Sequence, residues 1–277
     1  MYRIVKKDVL NEQVVSIVID APYIARKAEP GQFVIIRSDE YAERVPFTIS
    51  DYDRENGTIT VIYQIIGAST MRLAKLEQGD SILDVAGPLG MATEYVDGAK
   101  RVAVAGGGVG CAIAYPQAKK LFNMGVQVDM IAGFRNKGLV ILENEMKAAS
   151  TELHLCTDDG SYGYKGFVTD KLKELIDGGA KYDEVIAIGP VPMMKFVCKV
   201  TEQYGIKTLV SLNPIMVDGT GMCGCCRVKV GGKIRYACVE GPDFDGHEVD
   251  FDELMKRNST YKEHENAHIC RLTGGER

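Results

Sequence analysis

Val102-Ala103-Val104-Ala105-Gly106-Gly107-Gly108-Val109-Gly110 runs four small apolar residues into a glycine turn, and a helical stretch to about Leu121 follows at once. A continuous apolar run of this length fits a strand buried on both faces, as in a parallel sheet. The rhythm then repeats. Val126 to Phe134, Glu152 to Cys156, Glu184 to Ile188 and Thr208 to Leu212 read as strands, with helical segments through Met146, over Thr169 to Ile176 and over Met193 to Tyr204 between them. Strands joined by helical crossovers predict an α/β doubly wound parallel-sheet nucleotide domain over residues 98–212.

In that context the glycine turn is more than punctuation. Backbone N–H groups at the start of a helix, aided by the helix dipole, hold a pyrophosphate. Gly106, Gly108 and Gly110 are therefore the candidate contacts for a dinucleotide. The fingerprint is partial: Cys111 stands where a third small residue is usual, and no acidic residue ends the second strand. That strand ends in Gly133-Phe134-Arg135-Asn136, and the third ends in Asp158-Asp159-Gly160. Asp158 or Asp159 can hold ribose hydroxyls, and Arg135 can hold a 2′-phosphate. The alternative is that the glycines serve only close strand-to-helix packing.

N-terminal to this unit, residues 1–97 show short apolar runs, Gln13 to Ile19, Gly31 to Arg37, Thr58 to Ile66 and Ser81 to Val85, separated by turn signals such as Glu55-Asn56-Gly57. A small β-barrel is predicted, with one short helix over Ser69 to Leu76. Arg44-Val45-Pro46-Phe47-Thr48-Ile49-Ser50 puts a guanidinium, a ring and two hydroxyls on one extended segment. Arg44 can fork onto a pyrophosphate, Phe47 can cover an isoalloxazine, and Thr48 or Ser50 can hydrogen-bond its polar edge. Gly67, Ser69 and Thr70 open the short helix and offer a second phosphate cradle. The competing reading is a surface Arg, a core Phe and an ordinary helix cap.

Composition limits the partners. The chain has 277 residues, 33 Lys and Arg against 38 Asp and Glu, and a net charge of −5. It offers no excess cationic surface to a phosphate backbone, so nucleic acid is not an expected partner. The longest mostly apolar stretch, Val102 to Tyr115, is too short and glycine-rich to span a bilayer, and Met1 to Leu10 has no secretory h-region. No membrane association and a cytoplasmic location are expected.

Four of the eight cysteines fall between Cys223 and Cys238. Clustered thiols in a reducing compartment point to metal rather than to disulfides. Cys223 and Cys226, with two residues between them on a glycine-rich loop, can converge on one centre, and Cys238 arrives from a hairpin predicted over Arg227 to Val230 and Lys233 to Cys238. A fourth ligand is still needed, and Asp218 or Cys225 can supply it. Structural zinc is one reading. An iron–sulfur cluster beside a flavin is the other, because a flavin takes two electrons together and can release them singly. Residues 213–260 form the third module in this division, and residues 261–277 form a polar tail.

Barrel, nucleotide sheet and cysteine module in this order resemble the ferredoxin-NADP reductase-like electron-transfer subunits, as in the iron–sulfur flavoprotein subunit of dihydroorotate dehydrogenase. Gly87-Pro88-Leu89-Gly90, Gly106 to Gly110, Thr157 to Gly163 and Glu240-Gly241-Pro242 carry the likeness. Asn213 to Gly224 is similar to the branch of small subunits of NADH-dependent reduced ferredoxin:NADP oxidoreductases, also described as sulfide dehydrogenases. The resemblance implies FAD in the barrel, NAD(H) on the sheet, and a [2Fe-2S] cluster held by Asp218, Cys223, Cys226 and Cys238. It implies hydride transfer at FAD without a catalytic side chain, and a larger iron–sulfur flavoprotein partner, in a heterodimer or higher assembly, through which ferredoxin is reached. One departure is that Arg44 and Phe47 stand one residue further apart than the usual flavin signature. Electron-transfer subunits of a dihydroorotate or sulfide dehydrogenase are the alternative within the class, and a zinc-stabilised binding module is the alternative outside it.

Overall fold

The computed structural model describes residues 1–273; residues 274–277 of the predicted tail lie outside the described residues. Residues 2–89 build an antiparallel sheet that curls into a barrel. Its strands are β1 (Tyr2–Asn11), β2 (Val14–Asp20), β3 (Phe33–Arg37), β4 (Val45–Asp53), β5 (Thr58–Gln64), β6 (Ser81–Ile82) and β7 (Asp84–Leu89), in the order β6-β1-β2-β5-β4-β3-β7. Alternation drives the curl: Ile17, Ile19, Ile59, Val61 and Tyr63 point inward with Val34, Ile36 and Ile49. Two short helices sit in its connections, α1 (Pro22–Ala25) and α2 (Ala68–Leu73).

The second sheet contains β8 (Arg101–Gly107), β9 (Gln127–Phe134), β10 (Glu152–Thr157), β11 (Tyr164–Lys165), β12 (Glu184–Ile188) and β13 (Lys207–Ser211), all parallel. Crossovers carry α3 (Cys111–Asn123), α4 (Glu143–Ala148), α5 (Val168–Asp177) and α6 (Val191–Gln203). Their apolar faces bury the sheet on both sides, which explains why Val102, Ala103, Val104 and Ala105 are all inaccessible to solvent. The order β11-β10-β9-β8-β12-β13 reverses direction beside β8, so a crevice opens at the carboxyl ends of β8 and β12.

The C-terminal part adds the hairpin β14 (Arg227–Val230) and β15 (Lys233–Tyr236), then α7 (Ala237–Glu240), β16 (Asp243–Asp245), α8 (Phe251–Asn258) and α9 (Lys262–Thr273). Three features differ from the sequence expectation. Cys238 lies on α7 and not on the hairpin strand, because the Tyr236 N–H turns to Glu240 Oε2 at 2.7 Å and pulls the chain into a helical turn. β16 pairs antiparallel with β13, so the third module completes the edge of the nucleotide sheet. The expected polar tail forms α9, which rests against α2. Among the described residues no helix is long and apolar enough to cross a membrane.

Candidate functional site

A cleft of about 660 Å³ separates the barrel from the carboxyl edge of the parallel sheet, a size usual for ligand sites of about 300–1,000 Å³. Phe33, Phe47, Thr48 and Tyr63 wall it from the barrel; Gly108, Gly110, Asp158 and Pro190 wall it from the sheet; Asn213 and Met216 close it from the loop that enters the cysteine module. Candidates separated by more than a hundred residues thus meet across one space.

On the sheet side, Gly108 has φ +57° and open space where a side chain would stand. A Cβ at Gly110 would lie 2.6 Å from the Ile188 carbonyl oxygen and 2.7 Å from Gly189 Cα. The bare backbone of this turn therefore passes directly under β12 and delivers the free N–H groups of α3 to the cleft. Gly106 differs: its missing Cβ makes room for Cys111 Sγ, so its need is strand-to-helix packing. Burial pushes the Cys111 thiol upward, and it remains a core group. Asp158 lines the cleft with Arg135, whereas the Asp159 carboxylate turns back to accept the Ser161 N–H at 2.9 Å.

On the barrel side, Phe47 and Thr48 reach the cleft, and the Phe47 ring stands 5.4 Å from that of Tyr63. The Tyr63 hydroxyl is buried without a hydrogen-bond partner. A buried phenol ordinarily has one, and the Phe47 ring beside Tyr63 forms the wall that the cleft presents on this side. The residues thus fit a flavin ring. Tyr63 was legible only as a core position on β5; the signal that it carries chemistry is its hydroxyl on an otherwise aliphatic face. Ser50 is buried behind the wall with its own hydroxyl unpartnered. Thr70 turns inward, accepting the N–H groups of Ile66 and Gly67 at 3.0 Å each, and Ser69 donates to Glu43 Oε2 at 2.8 Å. Gly67 caps the helix they open. This cradle lies at the barrel rim outside the cleft, as does Arg44.

Arg44 leads to the cysteine module: its Nη2 lies 3.4 Å from the Asp218 carbonyl oxygen. The Asp218 side chain accepts from the Thr220 hydroxyl and, at 2.8 Å, from the Thr220 N–H; these bonds hold its carboxyl below the ordinary range. Cys226 and Cys238 are buried with sulfurs 3.1 Å apart. Two thiolates on one tetrahedral metal at about 2.3 Å would stand about 3.8 Å apart, so a small adjustment admits an ion between them. Burial pushes Cys238 up to about 12, so metal binding must displace its proton. Cys223 is exposed, and donation from the Cys225 N–H holds its thiol below the usual value; Cys225, bonded through its side chain to Cys223, is shifted upward.

The five candidate ligands do not converge on one point. Among the described residues, the trio of His, Cys, Asp or Glu whose ligand atoms lie mutually within 4.8 Å is Asp129, Glu152 and His154, elsewhere on the sheet. There the Asp129 carboxylate is already occupied by Arg101 at 2.6 Å and by the Tyr182 hydroxyl at 2.5 Å. A single zinc draws all its donors to one centre, whereas a cluster with more than one metal atom spreads them. The spread thiolate and carboxylate set fits the second.

The module is packed on the barrel. Cys226, Ala237 and Cys238 share one apolar cluster with Phe33 and Ile35 of β3, with Leu89 and Met216 at its edge. Phe33 and Met216 also wall the cleft. One layer of side chains therefore separates the buried cysteines from the ligand space, a relation no local sequence motif expresses.

Residues 213–250 match the iron–sulfur cluster binding domain of dihydroorotate dehydrogenase B. A Thermotoga maritima protein described as a homologue of the dihydroorotate dehydrogenase B (NAD(+)) electron transfer subunit is 46% identical over 99% of this chain and 96% of its own length. The electron transfer subunit of that enzyme from Clostridium acetobutylicum is 36% identical, covering 80% and 87%. A solved chain from NADH-dependent reduced ferredoxin-NADP oxidoreductase, studied for flavin-based electron bifurcation, superposes with a TM-score of 0.92 at 42% identity, over 99% of this chain and 98% of its own. A ferredoxin reductase of carbazole 1,9a-dioxygenase shares the fold at 18% identity and a TM-score of 0.62. With a ferredoxin reductase-like barrel and sheet, a cysteine module seated on them and relatives matched end to end, the chain belongs to the family of dihydroorotate dehydrogenase B electron transfer subunits and their homologues, the electron-transfer subunits of oxidoreductases.

Proposed function

We infer that this chain passes electrons between a [2Fe-2S] cluster, FAD and NAD(H) as the small subunit of a flavin-based electron-bifurcating NADH-dependent ferredoxin:NADP oxidoreductase. The observation that carries the reading is the position of Phe33, in contact with the Cys226 and Cys238 cluster on one side and the cleft on the other. A flavin supplies the conversion between hydride and single-electron transfer.

The chain's own residues orient and enclose. The N–H groups at Gly108 to Gly110 and the α3 dipole hold the dinucleotide pyrophosphate, and the Asp158 carboxylate accepts from its ribose hydroxyls. Phe47 and Thr48 would border a flavin ring held in the cleft and shield it from water. Arg44 and the α2 N-terminus at Gly67, Ser69 and Thr70 lie at the rim, placed for the flavin's phosphates. Asp218, Cys223, Cys226 and Cys238 hold the cluster. The domain division at residues 97, 212 and 260 follows the same three tasks.

The chain works with a larger iron–sulfur flavoprotein subunit, through which ferredoxin is reached. Charge must leave near the cluster, and there the surface is apolar: Met222 is 87% and Val217 51% exposed beside the ligands, with Val239 and Tyr236 next to them. Apolar groups of this kind beside a transfer site suit a protein partner. Metal and flavin analysis of the anaerobically purified complex should find iron, sulfide and FAD; a colourless protein with one zinc and no flavin refutes the assignment. The dihydroorotate dehydrogenase relatives favour one alternative, and co-purification with a partner that oxidises dihydroorotate would establish it.

A further inference from the structure

Asp243 stands where the three parts of the chain meet, and none of the roles above uses it. In the β13–β16 ladder it lies directly opposite Ser211, which places the two side chains on one face with Cβ atoms about 4.5–5.5 Å apart. Ser211 lines the cleft. On the other side, Asp243 Oδ2 is 2.5 Å from the Thr93 hydroxyl, which also accepts from Gln117 Nε2 at 2.7 Å; Gln117 Oε1 accepts from the Tyr95 hydroxyl at 2.5 Å. The absent side chain of Gly31 leaves room for this junction, since a Cβ there would collide with Thr93 Oγ1.

The hydrogen-bond inventory around Asp243 suits a neutral acid. An ionised carboxylate offers about four acceptor sites and no donor, yet Asp243 Oδ1 is buried with no partner. Leaving a charged oxygen bare inside the protein is costly. A carboxyl protonated on Oδ1 removes that bare charge and carries its proton on the oxygen away from Thr93, whose hydroxyl donates to Oδ2. Burial pushes this carboxyl above its ordinary range, outweighing the Ser211 and Thr93 hydroxyls, which favour its charged form. Tyr95 and Glu184 are the titratable groups that face it. The nearby cations are placed elsewhere: Lys207 is 3.7 Å from Glu184, and Lys120 is paired with Glu29 at 2.7 Å.

We propose that Asp243 is a proton store for the cleft, delivering through Ser211 the proton that must accompany electrons arriving one at a time from the iron side. The inference rests on the flavin and cluster assignment above. A hydride carries its own proton, but single electrons bring none. Two electrons from the partner's one-electron carriers, relayed by the cluster, and one proton from the Asp243 carboxyl convert oxidised flavin to its singly protonated reduced anion. Transfer of a hydride to NAD⁺ returns the flavin to the oxidised state, and the Asp243 carboxylate regains a proton from solvent. Charge and atoms balance over the cycle. Asp243 acts through Ser211 and is a positioning residue for the proton rather than a group that touches the flavin.

The test compares the anaerobic complex with its Asp243→Asn and Ser211→Ala variants. Infrared difference spectra of the flavin-loaded wild type should contain a carboxylic-acid band at neutral pH that Asp243→Asn removes. In stopped flow, flavin reduction from the iron side by a one-electron viologen donor should slow about 10²-fold in both variants. Reduction by NADH should slow far less, and the solvent isotope effect should grow only on the iron side. Equal slowing from both sides, unchanged iron-side rates, or an infrared spectrum showing Asp243 ionised at neutral pH would overturn the proposal. If Asp243→Asn does not fold, the iron-side and NADH-side kinetics of Ser211→Ala still decide. Protein without flavin would defeat the functional assignment itself, whereas flavin-loaded variants with unaltered iron-side kinetics would defeat this inference alone.

Discussion

Gly110 and Asp218 show how much can hang on single residues. The obstacle at Gly110 is backbone, the Ile188 carbonyl and Gly189 Cα, and neither can rotate away as a side chain would. Gly110→Ala must therefore push α3 from β12, at a cost of about 1–3 kcal/mol typical of overpacking. The expected result is a lower urea midpoint and weaker NADH binding in a fluorescence titration; wild-type values for both would mean that the turn has slack and does not position the dinucleotide. Asp218 poses a chemical question instead. A carboxylate is a harder ligand than a thiolate, and Thr220 stabilises its charged form. Asp218→Cys should shift the cluster's reduction potential in a spectroelectrochemical titration. A titration curve superposable on that of the wild type would take Asp218 out of the ligand set and bring Cys225 in.

At the level of elements, the parallel sheet was the most legible part of the chain because Val102 to Ala105 and Val185 to Ile188 are buried on both faces and read as unbroken apolar runs. β1 was not legible as a strand: of its ten residues only Ile4 is fully buried, so its alternation is masked by Lys6, Lys7 and Asp8. β16 is three residues long and gains its place from pairing with β13, a tertiary effect that periodicity cannot register. The candidate site divides in the same way. Motifs singled out Gly108, Gly110, Asp158 and the cysteines, each in a local pattern, and the first three line the cleft. Tyr63 and Phe33 escaped because their roles depend on which side of the barrel the cysteine module covers. β3 carries that relation, and it can be probed there. Phe33→Ala removes a ring that is 3% exposed from the layer between the cleft and Cys226 with Cys238. A buried aromatic truncation costs about 3–5 kcal/mol, so the variant should unfold at markedly lower urea and lose its visible cluster absorbance in the same transition. Retention of the absorbance beyond barrel unfolding would show that the module does not depend on β3.

For the whole molecule, the arrangement gives the chain two ligand-facing regions and one transfer face. The cleft is enclosed by both sheets, and the cysteine loop lies at the surface on the far side of Phe33. On the proposed reading, electrons crossing the chain enter or leave past the exposed Met222 and Val217. The apolar face continues onto the hairpin, because Ile234 and Tyr236 are two residues apart on β15 and point the same way, and Tyr236 lies beside Gly224 of the cysteine loop. Ile234 is 63% exposed and bonds to none of the candidate ligands, so a charge placed there alters the face and leaves the cluster's donors in place. Ile234→Asp should fold with a stability loss of no more than about 1 kcal/mol, since its side chain is mostly in water, and the isolated subunit should be reduced by NADH as the wild type is. Association with the larger subunit should weaken about tenfold or more, corresponding to about 1.4 kcal/mol for desolvating a carboxylate against an apolar partner surface. Analytical ultracentrifugation of the reconstituted complex measures this directly. Undiminished affinity would mean that the partner covers the cysteine loop from another direction, and electron exit would then have to be sought on the Val239 side of α7.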